Sequence, residues 1–296
     1  MNTIPFALRG DQIITITEAE RGLQCNCTCM ACGSRLIAKK GARHAHHFAH
    51  YKGQACEHGL ETALHRRIKT LFEQRRSINL PPIRLHRQKG AYLPAKRFQY
   101  SAVEEERKLG RLQPDLLLRA GNKVLLVEIA VTHRSPPEKL VKLRRLGYAA
   151  IEIDALALYE SHCKQPGQPD IQGFERGLFL GLSFKRWLFN PQQQRAEYRL
   201  RKLAIQRSVK HRRYKGFHQY IVEGCPLGKR RWRSGFRQGQ AFANVIQDCM
   251  HCERCIHLEY EQAYVGYQST PLLPKTVHCW GHLEERPKGR PWQSVV

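Results

Sequence analysis

Residues 3 to 20 read as two short strands around the turn Arg9-Gly10-Asp11, where glycine and aspartate supply the turn conformation. From Leu60 the periodicity changes. Leu60, Ala63, Leu64, Ile68, Leu71 and Phe72 fall at helical spacing, which predicts an amphipathic helix ending before Leu80-Pro81-Pro82. Leu112 to Arg119 and Lys123 to Thr132 are apolar β-type runs joined by Ala-Gly-Asn, a hairpin signal. Pro136 then opens a basic helix to about Leu146, and Tyr148 to Ile153 is a further strand. Asp154 is suited to cap a helix running through about Ser161. The order helix, strands, helix, strand predicts an α/β core.

From Lys185 to Arg237 charge replaces periodicity. The stretch holds 16 Lys and Arg opposed only by Glu197 and Glu223, with Trp187, Tyr198, Tyr214, Phe217, Tyr220, Trp232 and Phe236 interleaved. Cations track backbone phosphates while rings stack on unpaired bases, so Lys202, Arg207, Lys210, Arg212, Arg213, Lys215, Arg230, Arg231 and Trp232 are candidate nucleic-acid contacts. The whole chain of 296 residues carries a net charge of +25, which points to a polyanionic partner. No stretch joins a basic face to a long apolar face, which favours nucleic acid over an anionic membrane. A hydrophobic content of 42% excludes a wholly disordered chain. A mean hydropathy of −0.54 and no long apolar run exclude a membrane span. The start, MNTIPFALRGDQ, lacks the pattern of a secretory signal, so a cytoplasmic protein with reduced thiols is expected.

The 11 cysteines fall in two groups, with Cys163 apart. Cys29-x-x-Cys32, then 14 residues, then His47-x-x-His50 has the spacing of a tetrahedral zinc held by two short turns, and Cys27 or Cys56 could replace one histidine. Downstream, Cys225, Cys249, Cys252, Cys255 and Cys279 offer five thiols for the four positions of a second zinc. Either Cys249/Cys252 or Cys252/Cys255 forms its knuckle. Two structural zinc ions are expected.

Pro114-Asp115 and Glu128-Ile129-Ala130 bring two carboxylates to adjacent places across the predicted hairpin, where they can share a hard cation such as Mg²⁺ or Mn²⁺. Glu61 stands on the preceding helix. Together with Cys29-x-x-Cys32, His47-Phe48-Ala49-His50, Glu61-x-x-x-His65-x-x-x-Lys69, Val127-Glu128-Ile-Ala-Val-Thr132-His133, Lys139 and Ile151-Glu152-Ile-Asp154, the arrangement resembles the competence protein CoiA-like family of the PD-(D/E)XK nuclease superfamily, over roughly residues 20 to 160. The resemblance implies a restriction-endonuclease-like core, a mixed sheet flanked by helices, that carries a catalytic metal site and acts on nucleic acid. Where that superfamily usually has a catalytic lysine, two residues after Glu128, this chain has Ala130. In variants of the fold the lysine comes from the following helix, which here offers Lys139. Glu61 would complete the metal shell, with His65 ordering it one turn later.

The expected organisation is a zinc-binding module over 1–58, the nuclease-like core over 59–165 and a basic, Cys-rich zinc module over 166–296. The expected function is divalent-metal-dependent phosphodiester hydrolysis or DNA processing in recombination, uptake or mobile-element biology. The alternative is an inactive nuclease-fold protein that binds DNA or RNA within a larger assembly. DNA is the favoured partner over RNA, with further proteins of a DNA-processing complex and no membrane.

Overall fold

The structure, a computed structural model, describes residues 3–53, 56–85, 90–261, 264–265, 268–269 and 273–283. The chain divides into two compact units, 1–81 with 95–191, and 82–94 with 192–295.

In the first unit, β1 (Phe6–Arg9) and β2 (Gln12–Thr15) pair around Gly10, and β3 (Leu36–Lys39) pairs with β4 (His47–His50). The expected amphipathic helix is α1 (Gly59–Gln74), followed by the hairpin β5 (Ser77–Leu80) and β6 (Lys96–Gln99). Then come β7 (Ala102–Glu105), β8 (Leu116–Ala120), β9 (Lys123–Ala130), α2 (Pro137–Leu146), β10 (Ala149–Asp154), α3 (Ala155–Cys163), α4 (Ile171–Phe179) and β11 (Lys185–Phe189). Gly121 turns the β8–β9 hairpin at φ 57°, and Gly147 ends α2 at φ 73°, conformations that glycine adopts without strain. Asp154 caps α3 through the Ala157 amide at 2.9 Å.

One five-stranded sheet, in the order β11-β10-β9-β8-β7, organises the unit. Its β9–β10 pair is parallel, bridged by α2, and the other pairs are antiparallel. This is the mixed α/β sheet flanked by helices that the sequence predicted. Strand alternation divides its residues between two cores. Leu116, Leu118, Leu125, Val127, Ile129, Ile151 and Ile153 join a large core with Phe72 and Phe174, whereas Leu117, Leu126 and Ala150 join a smaller one with Leu143 of α2.

Phe6, Leu36 and Phe48 belong to the larger core, so the N-terminal module shares its interior with the sheet. Residues 166–191, expected with the C-terminal region, belong to the first unit because β11 pairs with β10 and Phe174 of α4 enters the same core.

The second unit contains α5 (Pro191–Leu203), β12 (Ile205–Ser208), β13 (Lys210–Tyr214), β14 (Phe217–Glu223), β15 (Arg230–Arg231), β16 (Ala241–Asn244), β17 (Cys255–Glu261), the short pair β18 (Tyr264–Val265) and β19 (Gln268–Ser269), and β20 (Leu273–Cys279). A four-stranded sheet runs β13-β14-β16-β15 and a three-stranded one β12-β20-β17. Val222, Ala243, Leu258 and Val277 pack with the downstream cysteines, and Leu85, Ala196, Leu200, Ile256 and Trp280 form a second cluster. Among the described residues no helix is long and apolar enough to cross a membrane.

Phe72 is fully buried, with its ring 5.2 Å from Phe179 and 6.1 Å from Tyr100. Phe72→Ala should cost about 3–5 kcal/mol in urea unfolding. A loss below ~1 kcal/mol would mean that the α1 face is not the core described here.

Candidate functional site

The register of the large sheet sets acids side by side. Leu116 pairs with Val127, which carries Asp115 to the level of Glu128, and Glu128 pairs directly with Glu152. All three share the alternation of Leu117, Leu126 and Ala150, so they lie on the α2 side of the sheet. Glu128 keeps only 3% of its surface exposed and Glu152 2%.

Each carboxylate is answered differently. Asp115 Oδ2 accepts from the Ile129 amide at 2.7 Å, while His65 Nδ1 lies 3.7 Å from Oδ1. Glu152 accepts from Arg186 Nε at 2.7 Å and from the Ser135 amide at 2.8 Å. Burial alone would raise its pKa, but these donors overcome that and hold it below the usual carboxylate value. Glu128 receives Lys139 Nζ on Oε2, whereas its Oε1 is buried without a partner. Burial pushes the Glu128 carboxyl up to about 7 against the pull of Lys139, and the Asp115 and Glu152 carboxylates add to the rise.

The structure therefore brings Asp115, Glu128 and Lys139 together. Ala130, two residues after Glu128, falls on the same face, and the Lys139 ammonium reaches that region from α2. Glu61 stands at the rim, its Oε1 accepting from the Thr132 hydroxyl at 3.3 Å. Two carboxylates, one with an orphaned buried oxygen, are hard oxygen donors and fit Mg²⁺ or Mn²⁺ completed by water and phosphate oxygens.

The N-terminal cysteines converge on a second kind of site. Sγ of Cys29, Cys32 and Cys56 and a ring nitrogen of His50 all lie within 4.8 Å of one another, the one such group among the described residues. Cys32 Sγ is 3.3 Å from His50 Nε2, and Cys29 Sγ is 4.0 Å from Cys56 Sγ, near the ~3.8 Å sulfur–sulfur edge implied by a tetrahedron with Zn–S bonds of ~2.3 Å. Hydrogen bonding, from Ser34 first, lowers the Cys32 thiol to about 6, whereas burial lifts Cys56 to about 11. A bound cation would offset that rise and let the Cys56 thiol ionise.

Here the structure corrects the expected ligand set. His47 and His50 are three apart on β4, so the strand sends them to opposite faces. His47 Nδ1 lies 2.8 Å from the Ala45 carbonyl instead, and Cys56 takes the fourth position. Cys25 and Cys27 are fully buried core thiols.

Cys225, Cys249, Cys252, Cys255 and Cys279 pack into one cluster of the second unit, with Cys255 opposite Cys279 in the β17–β20 pair, but among the described residues their sulfurs do not converge as the N-terminal ligands do, so the four-thiol set expected for a second zinc is not assembled. The Gly281 amide donates to Cys279 Sγ at 3.2 Å, as the Ala31 amide does to Cys29 Sγ at 3.4 Å.

The basic segment separates into several places. Lys210, Arg212, Arg230, Arg231 and Trp232 line one groove of about 1140 Å³ on the β13-β14-β16-β15 sheet. Arg213 alternates to the opposite face of β13, Lys215 sits in the following turn, and Arg207 Nη1 lies 3.5 Å from the Glu223 carbonyl. Lys202 rests over the Tyr198 ring on α5 at 4.9 Å. Lys185 and Arg186 are sheet residues of the first unit.

Sequence reasoning missed Glu152 as a buried neighbour of Glu128, although a lone acid in the apolar run Ala149–Ile153 was a signal. It counted Arg233 and Phe236 in the basic segment without singling them out and missed Phe242, which only the strand pairing brings into the groove.

Residues 14–59 match the family model described as competence protein CoiA, N-terminal domain. The CoiA-like resemblance holds over that segment, which contains the whole Cys29, Cys32, His50 and Cys56 set. No curated protein and no solved structure matches the chain.

The ligand correction is open to metal analysis of purified protein. Cys56→Ser should remove the N-terminal zinc, whereas His47→Ala should leave the zinc content unchanged; the opposite pattern would restore His47 as a ligand. A second prediction concerns protons. A carboxyl with its pKa raised to about 7 must lose its proton before it can hold a cation. Mn²⁺ affinity, read by titration calorimetry, should therefore fall about tenfold per pH unit below 7 and level off above it. A flat profile from pH 5 to 8 would exclude Glu128 as a ligand.

Proposed function

We propose that the chain is a divalent-metal-dependent nuclease of the PD-(D/E)XK kind, processing DNA in a competence-related role. The observation that carries this reading is the buried, unpartnered Oε1 of Glu128 beside Asp115, with an ammonium from α2 at the same carboxylate. The CoiA-like segment supports the competence-related role. The family resemblance of the sheet motifs favours DNA as substrate.

A Mg²⁺ or Mn²⁺ ion held by Asp115 and Glu128 would polarise the phosphate and lower the pKa of a water for in-line attack. The Ile129 amide fixes the orientation of Asp115. Lys139 turns its ammonium to the charge that develops on the phosphate, the work that Ala130 cannot do. His65 Nδ1, 3.7 Å from Asp115 Oδ1, flanks the carboxylate on the side of α1. Arg186 and the Ser135 amide satisfy Glu152, so it remains a charge neighbour and does not compete for the cation.

A second reading, a non-catalytic DNA-binding protein within a larger assembly, is favoured by Ala130 alone. Cleavage assays on circular and linear DNA with Mg²⁺ or Mn²⁺ separate the two. Asp115→Asn and Glu128→Gln should each abolish cleavage, and Lys139→Ala should slow it about 10²–10³-fold. Undiminished cleavage by both acid variants would reject the assigned centre, and no cleavage by the wild type would leave the binding role.

A further inference from the structure

We propose that the open face of the β13-β14-β16-β15 sheet is a binding site for single-stranded nucleic acid, separate from the carboxylate centre and independent of a divalent ion. Strand pairing sets Arg212 opposite Gln219, Lys210 opposite Ile221, and Phe242 between Glu223 and Arg230. These residues share one face. The opposite face turns Val222 and Ala243 into the cysteine-lined core, so the sheet is anchored on one side and open on the other.

Charge selects the partner. Seven lysines and arginines line the groove against the single acid Glu223. Lys210 and Arg237 both pair with Glu223, and Arg230 is held by Asp248 and Gln247. Arg212 and Arg233 have no ion-pair partner among the described residues, while Lys229 shares the Asp248 carboxylate with Arg230. An uncompensated cluster of this kind attracts a polyanion.

The rings then distinguish an unpaired strand from other polyanions. Trp232 stacks on Phe242 with centroids 4.3 Å apart, and the Arg212 guanidinium lies 5.2 Å over Trp232. Phe236 is 90% exposed in the same groove. Among the described residues only the Arg237 guanidinium lies over this ring, at 5.0 Å, and its open surface matches the flat face of a base. A duplex hides its base faces, and an acidic peptide has none. At about 1140 Å³ the groove also exceeds the ~300–1,000 Å³ usual for small-molecule pockets, as a run of nucleotides requires.

The test uses the full chain in buffer without magnesium or manganese, with a fluorescein-labelled oligothymidylate, the corresponding duplex, and polyglutamate as competitor. The oligothymidylate should bind more tightly than the duplex, with a log K against log salt slope of about −2 for three phosphate contacts at ~0.7 each. Phe236→Ala/Arg233→Ala should weaken it about tenfold or more while changing duplex binding far less. Both side chains are on the surface, and an unchanged zinc content and unfolding midpoint establish that the variant is folded. Arg212→Ala, made separately, should flatten the salt slope. Equal binding of single strand and duplex, an undiminished affinity in the double variant, or displacement by polyglutamate as effective as by unlabelled oligothymidylate would each overturn the proposal. Because the readout is binding without a divalent ion, its failure leaves the nuclease reading standing, and failure of that reading leaves this site standing.

Discussion

A carboxylate on the central strand of a sheet, nearly cut off from solvent, has to be met by positive charge or keep its proton. Glu128 imposes that condition on the first unit. The parallel β9–β10 pair is what meets it. A parallel connection needs a crossover, the crossover is α2, and α2 brings Lys139 over the same face. The parallel register also sets Glu152 against Glu128, which would add a second buried charge were it not for Arg186 from β11 and the Ser135 amide. What remains unanswered is one oxygen of Glu128, next to a second carboxylate, and the proposed cation would answer it.

The N-terminal cysteine set is tied to that end of the sheet through α1. Gly59 begins the helix against the ligands: a Cβ there would come within 2.9 Å of Ile4 Cδ1 and 3.5 Å of both Cys56 Sγ and a His50 ring carbon. The ligand cluster thus abuts the first turn of α1, and the same helix carries Glu61 and His65 two and six residues further on. A zinc held by Cys29, Cys32, His50 and Cys56 would act on the carboxylate centre by fixing where α1 starts. It needs no chemistry of its own.

What the sequence disclosed was local. The β8–β9 hairpin, the Pro136-opened helix and the Asp154 cap follow from alternation, a turn glycine and a side-chain acceptor, all within a dozen residues of one another. Asp115, Glu128 and Lys139 were legible for the same reason, since a hairpin and one helix join them. The ligand set went astray at His47 because the spacing was read as two turns, while His47–His50 is a strand. The burial of Glu152 depends on a parallel register that no local pattern shows. Phe236 and Arg233 acquire meaning only when four strands bring Arg212 and Phe242 to the same face. Likewise, no local signal told that residues 82–94 belong with the second unit or that β11 closes the sheet of the first.

The central claim is that the first unit holds one divalent ion between Asp115 and Glu128. Anomalous diffraction from crystals soaked in manganese measures this directly. The account predicts a peak coordinated by oxygens of both carboxylates, with Lys139 withdrawn from Glu128. Crystals in which manganese is absent from that position, and the Lys139–Glu128 pair remains intact at saturating metal above pH 7, would contradict it.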